Sequence, residues 1–330
     1  MNFAIAILNW NGKALLERYL PSVCANSTDA HIYVIDNAST DDSVAWVQTH
    51  FPEVTCLVLP ENYGYAGGYN LGLQQIKEEY YVLLNSDVEV TPDWLSPIRS
   101  FLASNPNCEM LQPKIRADRQ RTHFEYAGAS GGFIDAYGYP YCRGRLFTTL
   151  EEDYGQYDEA VEIHWATGAC LVVKATTFHA LGGFDTSFFA HMEEIDLAWR
   201  YRNTGKSIYV VPQSVVYHLG GATLSATNPQ KTYLNFRNSL SMLYKNLPKN
   251  KIFGIIFVRL VLDGVAGVQL VFQGKPLHCW AIVRAHFAFY ARIPSLNKKR
   301  ASTALTHYYH RKSVVWDYFI QKKRFFSDLF

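Results

Sequence analysis

The chain has no C-x-x-C pair. Its six cysteines (Cys24, Cys56, Cys108, Cys142, Cys170 and Cys279) are scattered through 330 residues. That spacing excludes a zinc ribbon or a dithiol redox motif. Nothing resembles a signal peptide, because Met1-Asn2 leads directly into an apolar strand, and a reducing, cytoplasmic setting is expected. A clean membrane span is also missing. Ile252–Phe272 has the length, but Arg259 and Asp263 interrupt it, whereas a span prefers about 20 predominantly apolar residues. No G-x-G-x-x-G occurs, since the glycines of the richest stretch fall at 64, 67, 68 and 72, and a Rossmann dinucleotide fingerprint is thereby excluded.

Acidic charge is scarce in the last part of the chain. Residues 245–330 hold 15 of the 31 Lys and Arg but only 3 of the 29 Asp and Glu. The rest of the chain is acidic. Such asymmetry points to an anionic partner for the basic part, either nucleic acid or an anionic membrane surface. The hydrophobic fraction, 48%, is ordinary for a globular core.

Short apolar runs alternate with helical patterns from the start. Phe3–Leu8, His31–Ile35, Val54–Leu59 and Tyr81–Leu84 read as strands, separated by helices over Lys13–Cys24 and Ser43–His50. The third helix is expected to open in the glycine-rich stretch Glu61–Gly72 and run towards Lys77. This alternation predicts βαβ units, a parallel sheet and a doubly wound α/β fold. The strands end in polar loops at Asn9, Asp36, Asn62 and Asp87, and in such sheets these ends share one crevice. A helix is expected over 91–110 and irregular chain over 113–163. Strands follow over Ala169–Val173, Ser207–Val211 and Val215–Tyr217, with a helix over Met192–Asn203. From Tyr233 onward the pattern is helical, apolar and basic.

The fourth strand runs straight into Asn85-Ser86-Asp87. A carboxylate at a sheet end suits a hard divalent cation, which shares its oxygen ligands with a substrate phosphate. Three more stretches accompany it. They are Val34-Ile35-Asp36-Asn37-Ala38-Ser39-Thr40-Asp41, the run Glu61–Gly72, and Phe188-Phe189-Ala190-His191-Met192-Glu193-Glu194-Ile195-Asp196. In this order the four resemble the inverting family 2 glycosyltransferases of GT-A fold, with the nearest look to the rhamnosyltransferase-like bacterial members. The resemblance covers roughly residues 2–245.

It implies a nucleotide-sugar donor, Mg²⁺ or Mn²⁺, and an acceptor hydroxyl. Asp36 matches the aspartate that accepts the imide N–H of the base, with Asn37 and Asn9 beside it. Asn62, Gly64, Gly67 and Asn70 would lie along the nucleotide. Asp87 matches the last position of a DXD-type motif whose first position here is Asn85. His218 resembles the histidine that completes the metal site. Glu194 stands where the family has its base, usually Asp, with Glu193 and Asp196 placing the acceptor. Trp165 and Gly168 would touch the donor sugar.

The resulting reading has a glycosyltransferase domain over 1–245, divided into a nucleotide-binding half, about 1–112, and an acceptor half, about 113–245. A helical basic extension over 246–330 would associate with the inner face of the cytoplasmic membrane. The expected reaction moves rhamnose from dTDP-rhamnose to a glycan or lipid-linked acceptor in cell-surface polysaccharide synthesis. A UDP-sugar-dependent transferase of the same fold and an inactive scaffold stay open. A sugar-phosphate nucleotidyltransferase would want a basic glycine-rich loop after the first strand, and Ile7-Leu8-Asn9-Trp10-Asn11-Gly12 lacks it. A nucleic-acid partner is excluded because no such motif is present and the crevice is acidic.

Overall fold

The computed structural model describes residues 1–220 and 228–330.

The first half builds the parallel part of the sheet. Strands β1 (Phe3–Asn9), β2 (His31–Asp36), β3 (Thr55–Val58) and β4 (Tyr80–Asn85) are linked through helices α1 (Lys13–Asn26), α2 (Ser43–His50) and α3 (Gly64–Leu73). Then come the short β5 (Val88–Val90), α4 (Leu95–Ser104) and β6 (Met110–Ala117). The stretch expected to be irregular contains a four-stranded antiparallel sheet: β7 (Gly132–Ile134), β8 (Pro140–Cys142), β9 (Arg145–Leu146) and β10 (Thr149–Leu150). The main sheet is completed by β11 (Val161–Ile163), β12 (Cys170–Lys174) and β13 (Ile208–His218), with α5 (Ala175–Ala180) and α6 (Glu193–Arg202) between the last two strands. Three long helices follow: α7 (Pro229–Asn246), α8 (Lys249–Phe272) and α9 (Pro276–Lys298).

The main sheet runs β11-β13-β6-β12-β4-β1-β2-β3, with β5 beside β13. Strands β1 to β4 are mutually parallel, and β12 inserts antiparallel between β4 and β6. The two strands expected over 207–217 form one strand with a bulge between Val211 and Val215. Successive residues of a strand face opposite sides. Ile5, Ile7, Val82 and Leu84 therefore pack under α1 and α4, while Ala4, Ala6, Tyr81 and Leu83 face the other core. Both faces are covered, as a parallel sheet requires.

The glycine-rich stretch is itself helix. A Cβ at Gly68 would stand 2.7 Å from Leu8 Cδ1, and one at Gly72 2.5 Å from an Ile35 methyl. Glycine lets α3 lie directly on β1 and β2. The close approach made here is helix on sheet.

The chain after residue 245 shares the core. Leu247, Ile256, Phe289, Leu296, Tyr308 and Leu329 belong to the same cluster as Ala4 and Leu83. The last thirty residues bind the small sheet: Tyr308 Oη donates to Ala136 O at 2.7 Å, Val314 N to Asp135 Oδ2 at 3.0 Å, and Phe326 N to Glu151 Oε1 at 2.9 Å.

Candidate active site

Register brings the polar strand ends together. Asn9 pairs with Asp36, and Leu8 with Asn85. Because β1 lies between β2 and β4, Asp36 and Asn85 sit two strand spacings apart, about 10 Å.

Asn9 Nδ2 donates to Asp36 Oδ1 at 2.9 Å, Ser39 Oγ at 3.1 Å and Ser43 Oγ at 2.9 Å. Asp36 Oδ2 accepts the Ser39 N–H at 2.9 Å. The carboxylate is thus buried and held rigid, with one lone pair on each oxygen unused among the described residues. Asn9 Oδ1 is buried without a hydrogen-bond partner among the described residues.

Asn37 and Asn62 are turned towards each other. Asn37 Nδ2 donates to Asn62 Oδ1 at 2.9 Å and Gly64 O at 3.0 Å, and its Oδ1 accepts the Tyr63 N–H. The pair clamps the turn into α3, where Gly64 has φ +69°. Gly67 sits one turn along α3, and a Cβ there would press on Tyr63. Asn70 points elsewhere. Its amide donates to Phe184 O at 2.8 Å and accepts the Phe184 N–H at 2.9 Å, fastening the Gly182–Asp185 turn. Trp165 is buried against the small sheet and donates to Phe133 O at 2.9 Å.

At the end of β4, Asp87 Oδ1 lies 3.1 Å from His218 Nε2. Asn85 Nδ2 is 3.4 Å from the same nitrogen. Glu125 Oε1 stands 3.4 Å from His218 Nδ1, on the opposite side of the ring. Burial by itself would lower the imidazole pKa, but Glu125 and Asp87 outweigh it and push it up to about 10. One carboxylate oxygen facing one imidazole nitrogen is a donor pair that would suit Mg²⁺ or Mn²⁺. To hold such an ion, Nε2 would have to give up its proton. Among the described residues no group of three His, Cys, Asp or Glu forms a closed metal cage. Glu89 is not free for this role, since Arg121 grips it with two hydrogen bonds.

Across the crevice, β12 delivers Gly168, whose carbonyl accepts the Tyr65 hydroxyl at 2.9 Å. A Cβ at Gly168 would lie 3.9 Å from the Glu194 Cβ. Ala169 O accepts the Asn85 N–H at 3.0 Å. Glu194 therefore stands one strand away from the Asn85–Asp87 tip. Glu193 and Glu194 begin α6, and each has one buried oxygen with no hydrogen-bond partner among the described residues. Burial raises both carboxyls. Glu193 is driven further by repulsion from Glu194, and the N–H groups at the start of α6 pull Glu194 partway back.

Asp196 faces away from the crevice. It is fully buried, accepting from Arg200 Nε at 2.9 Å, Lys245 Nζ at 2.9 Å and Asn246 Nδ2 at 2.9 Å. It anchors α6 to α7.

The turn before Glu193 is strained. Phe189, His191 and Met192 have φ of 69°, 70° and 74°, at a cost of about 1–2 kcal/mol each for residues with a Cβ. Asn238 holds this turn. Its side-chain amide donates to Phe188 O at 3.0 Å, Ala190 O at 2.9 Å and His191 O at 2.8 Å. Arg237 Nη2 adds a bond to Phe188 O at 2.9 Å. Sequence reading missed Asn238 and Glu125. A signal existed for the first: Asn238 lies four residues from Leu234 and from Met242, an amide on a helix's apolar face. Glu125 carries no local signal.

Residues 4–157 match the family model described as glycosyl transferase family 2. The N-acetylglucosaminyl-diphospho-decaprenol L-rhamnosyltransferase of Mycobacterium tuberculosis is 26% identical over 226 residues, covering 63% of this chain and 73% of its own. The low-salt glycan biosynthesis hexosyltransferase Agl10 of Haloferax volcanii is 23% identical over 291 residues, covering 83% and 86%. Among solved structures, GalNAc-T7 with UDP, GalNAc and Mn²⁺ superposes with a TM-score of 0.61 at 15% identity, over 89% of this chain and 57% of that one. The sheet order, the crevice and these likenesses agree on a GT-A fold. The chain is a glycosyltransferase, similar over residues 4–157 to glycosyltransferase family 2.

Proposed function

We propose that the enzyme transfers a sugar, with inversion, from a nucleoside diphosphate sugar to a hydroxyl of a glycan or lipid-linked acceptor in cell-surface polysaccharide synthesis. dTDP-rhamnose is the first donor to test, on the strength of the rhamnosyltransferase relative. UDP-sugars come second, because the GalNAc-T7 neighbour was crystallised with UDP.

The observation that carries the reading is the pair of unpartnered buried oxygens on Glu193 and Glu194, one strand from Asp87. An unpaired buried carboxylate is costly, and an acceptor hydroxyl would give it a partner. Glu194, with its raised pKa, takes the proton as the acceptor oxygen attacks the anomeric carbon. The nucleoside diphosphate leaves from the opposite face. Asp36 and Asn9 hold the base, the first through its unused lone pairs and the second through its unpartnered oxygen. Asp87 and His218 would hold Mg²⁺ or Mn²⁺, which when bound neutralises charge on the departing diphosphate. The basic C-terminal helices would keep the enzyme on the inner membrane surface, within reach of a lipid-linked acceptor.

Calorimetry and a transfer assay with dTDP-rhamnose and a UDP-sugar panel test this. Glu194→Gln should bind donor normally and lose transfer. Asp87→Ala should lose Mn²⁺-dependent donor affinity. Near-normal turnover in the first variant would remove Glu194 as base, and unchanged Mn²⁺-dependent affinity in the second would remove the metal role.

A further inference from the structure

Helix α8 is built inside out. Its only charged residues between Ile252 and Phe272 are Arg259 and Asp263, and both are buried. Arg259 Nε donates to Asp263 Oδ1 at 2.9 Å, and its guanidinium lies 3.8 Å above the Tyr139 ring. Tyr139 Oη donates to Asp263 Oδ1 at 3.1 Å, and Arg259 Nη1 to Tyr137 O at 3.1 Å. His286 of α9 stands 3.3 Å from Asp263 Oδ2. These two charges break the apolar run in the sequence, yet they do not break the outward face.

Apart from exposed Gln269 at its edge, that face is apolar from end to end. Phe253, Phe257, Val261, Val265, Val268 and Phe272 are all exposed, and Phe253 and Phe272 are 85% and 87% exposed. Their spacing of three or four residues puts them on one side of the helix. The stripe is about 28 Å long at 1.5 Å per residue. On α9, Leu277, Trp280 and Phe287 are likewise exposed. A helix facing water would show polar residues there. An apolar surface of this extent on a soluble protein marks an interaction site.

Three observations choose lipid hydrocarbon as the occupant. The α8 stripe has no polar group to specify a protein partner, whereas protein interfaces set aromatic and Arg anchors inside a polar rim. Exposed Lys249 and Lys275 flank its two ends, with Arg284 and Lys298 on α9, where they meet anionic head groups. Trp280 and Tyr290 are exposed on α9, and such rings favour the head-group level. Among the described residues α8 is the one helix long and apolar enough to cross a membrane. Its inner face, however, is occupied by α9 and Tyr139, so it lies in the plane of one leaflet.

We infer that the α8–α9 hairpin inserts into the hydrocarbon of a single leaflet, so that attachment is mainly apolar, with the basic residues as its rim. This deepens the membrane reading above and does not depend on the sugar or on Glu194. Arg292 of α9 donates to Ser187 O at 2.8 Å, so the inserted helix also carries the turn ahead of Glu193.

Flotation of the full chain with vesicles tests it. The expected result is binding to neutral phosphatidylcholine vesicles that survives high salt and is released by detergent. Phe253→Glu/Phe257→Glu should lower the partition coefficient by about tenfold or more per residue, with donor affinity unchanged because both side chains are exposed. Lys275→Gln/Lys298→Gln should lower binding only to anionic vesicles. Binding that needs anionic lipid and vanishes in salt would overturn apolar insertion in favour of adsorption. A stable dimer, broken by the Phe→Glu pair and indifferent to vesicles, would assign the face to a second copy. Each result is read from binding alone, so failed sugar transfer leaves it intact.

Discussion

The side-chain amide of Asn238, in the middle of α7, donates to the carbonyl oxygen of His191 at 2.8 Å. His191 sits in the left-handed region two residues before Glu193. One fully buried amide therefore fixes the backbone that aims both candidate carboxylates. Strain of this kind persists only where the surroundings over-determine it.

Asn238→Ala removes the donor shared by three carbonyls. The expected loss is about 1–3 kcal/mol of stability and about 10- to 100-fold in kcat, since small misplacements of a catalytic group are costly. Donor affinity should not change, because Asp36 and Asp87 stand at the ends of β2 and β4 and not on α7 or the turn it holds. Asn238→Asp keeps the shape, lacks the donor, and should behave alike. A kcat that falls only with the unfolded fraction, followed by circular dichroism, would make the residue merely structural.

The pH dependence of the Glu193–Glu194 pair has a definite sign. Both carboxyls are raised above their ordinary value of 4.5 by burial. The folded state therefore holds protons that the unfolded state has released. This contribution to stability is fully present below about pH 4.5 and is lost as pH rises through the raised values. Glu193→Gln should accordingly raise Tm at pH 8 relative to the parent, with the difference closing below pH 5. Transfer should show an acid limb above the ordinary carboxylate range, and that limb should survive Glu193→Gln.

Lys245 joins two elements. Its ammonium lies 2.7 Å from Asp185 Oδ2 and 2.9 Å from Asp196 Oδ2, and it is buried. Burial would raise the Asp185 carboxyl, but Lys245 and Lys299 hold it well below its usual range. Lys245→Met leaves two carboxylates short of a partner and should cost about 3–5 kcal/mol. The stability that the Asp185 pair supplies is present above the ordinary Asp value and lost as pH falls through its lowered value. The deficit should therefore be largest near neutrality and narrow only in strong acid, as read from denaturant midpoints.

The sequence by itself determined the βαβ half, the crevice formed by the strand ends, and the Asn85–Asp87 tip. These follow from local periodicity and from the rule that parallel strands present their ends together. It also determined that α6 begins in carboxylates. Tertiary structure decided which partners each polar side chain has. Asp36 and Asp196 are both aspartates at the ends of elements, yet one keeps unused lone pairs in the crevice and the other is saturated by Lys245, Arg200 and Asn246. The sequence leaves open what Gly68 and Gly72 approach, because glycine suits any close contact. Only the packing shows that the approach is by α3 to the sheet. Residues 113–163 hid their small sheet because strands of two or three residues leave no period to read. Arg259 and Asp263 interrupt an apolar run on paper, while in the fold they turn inward and leave the outer face of α8 apolar. Which side of a helix a charge lies on depends on what the helix packs against, and for α8 that partner is Tyr139, more than a hundred residues away.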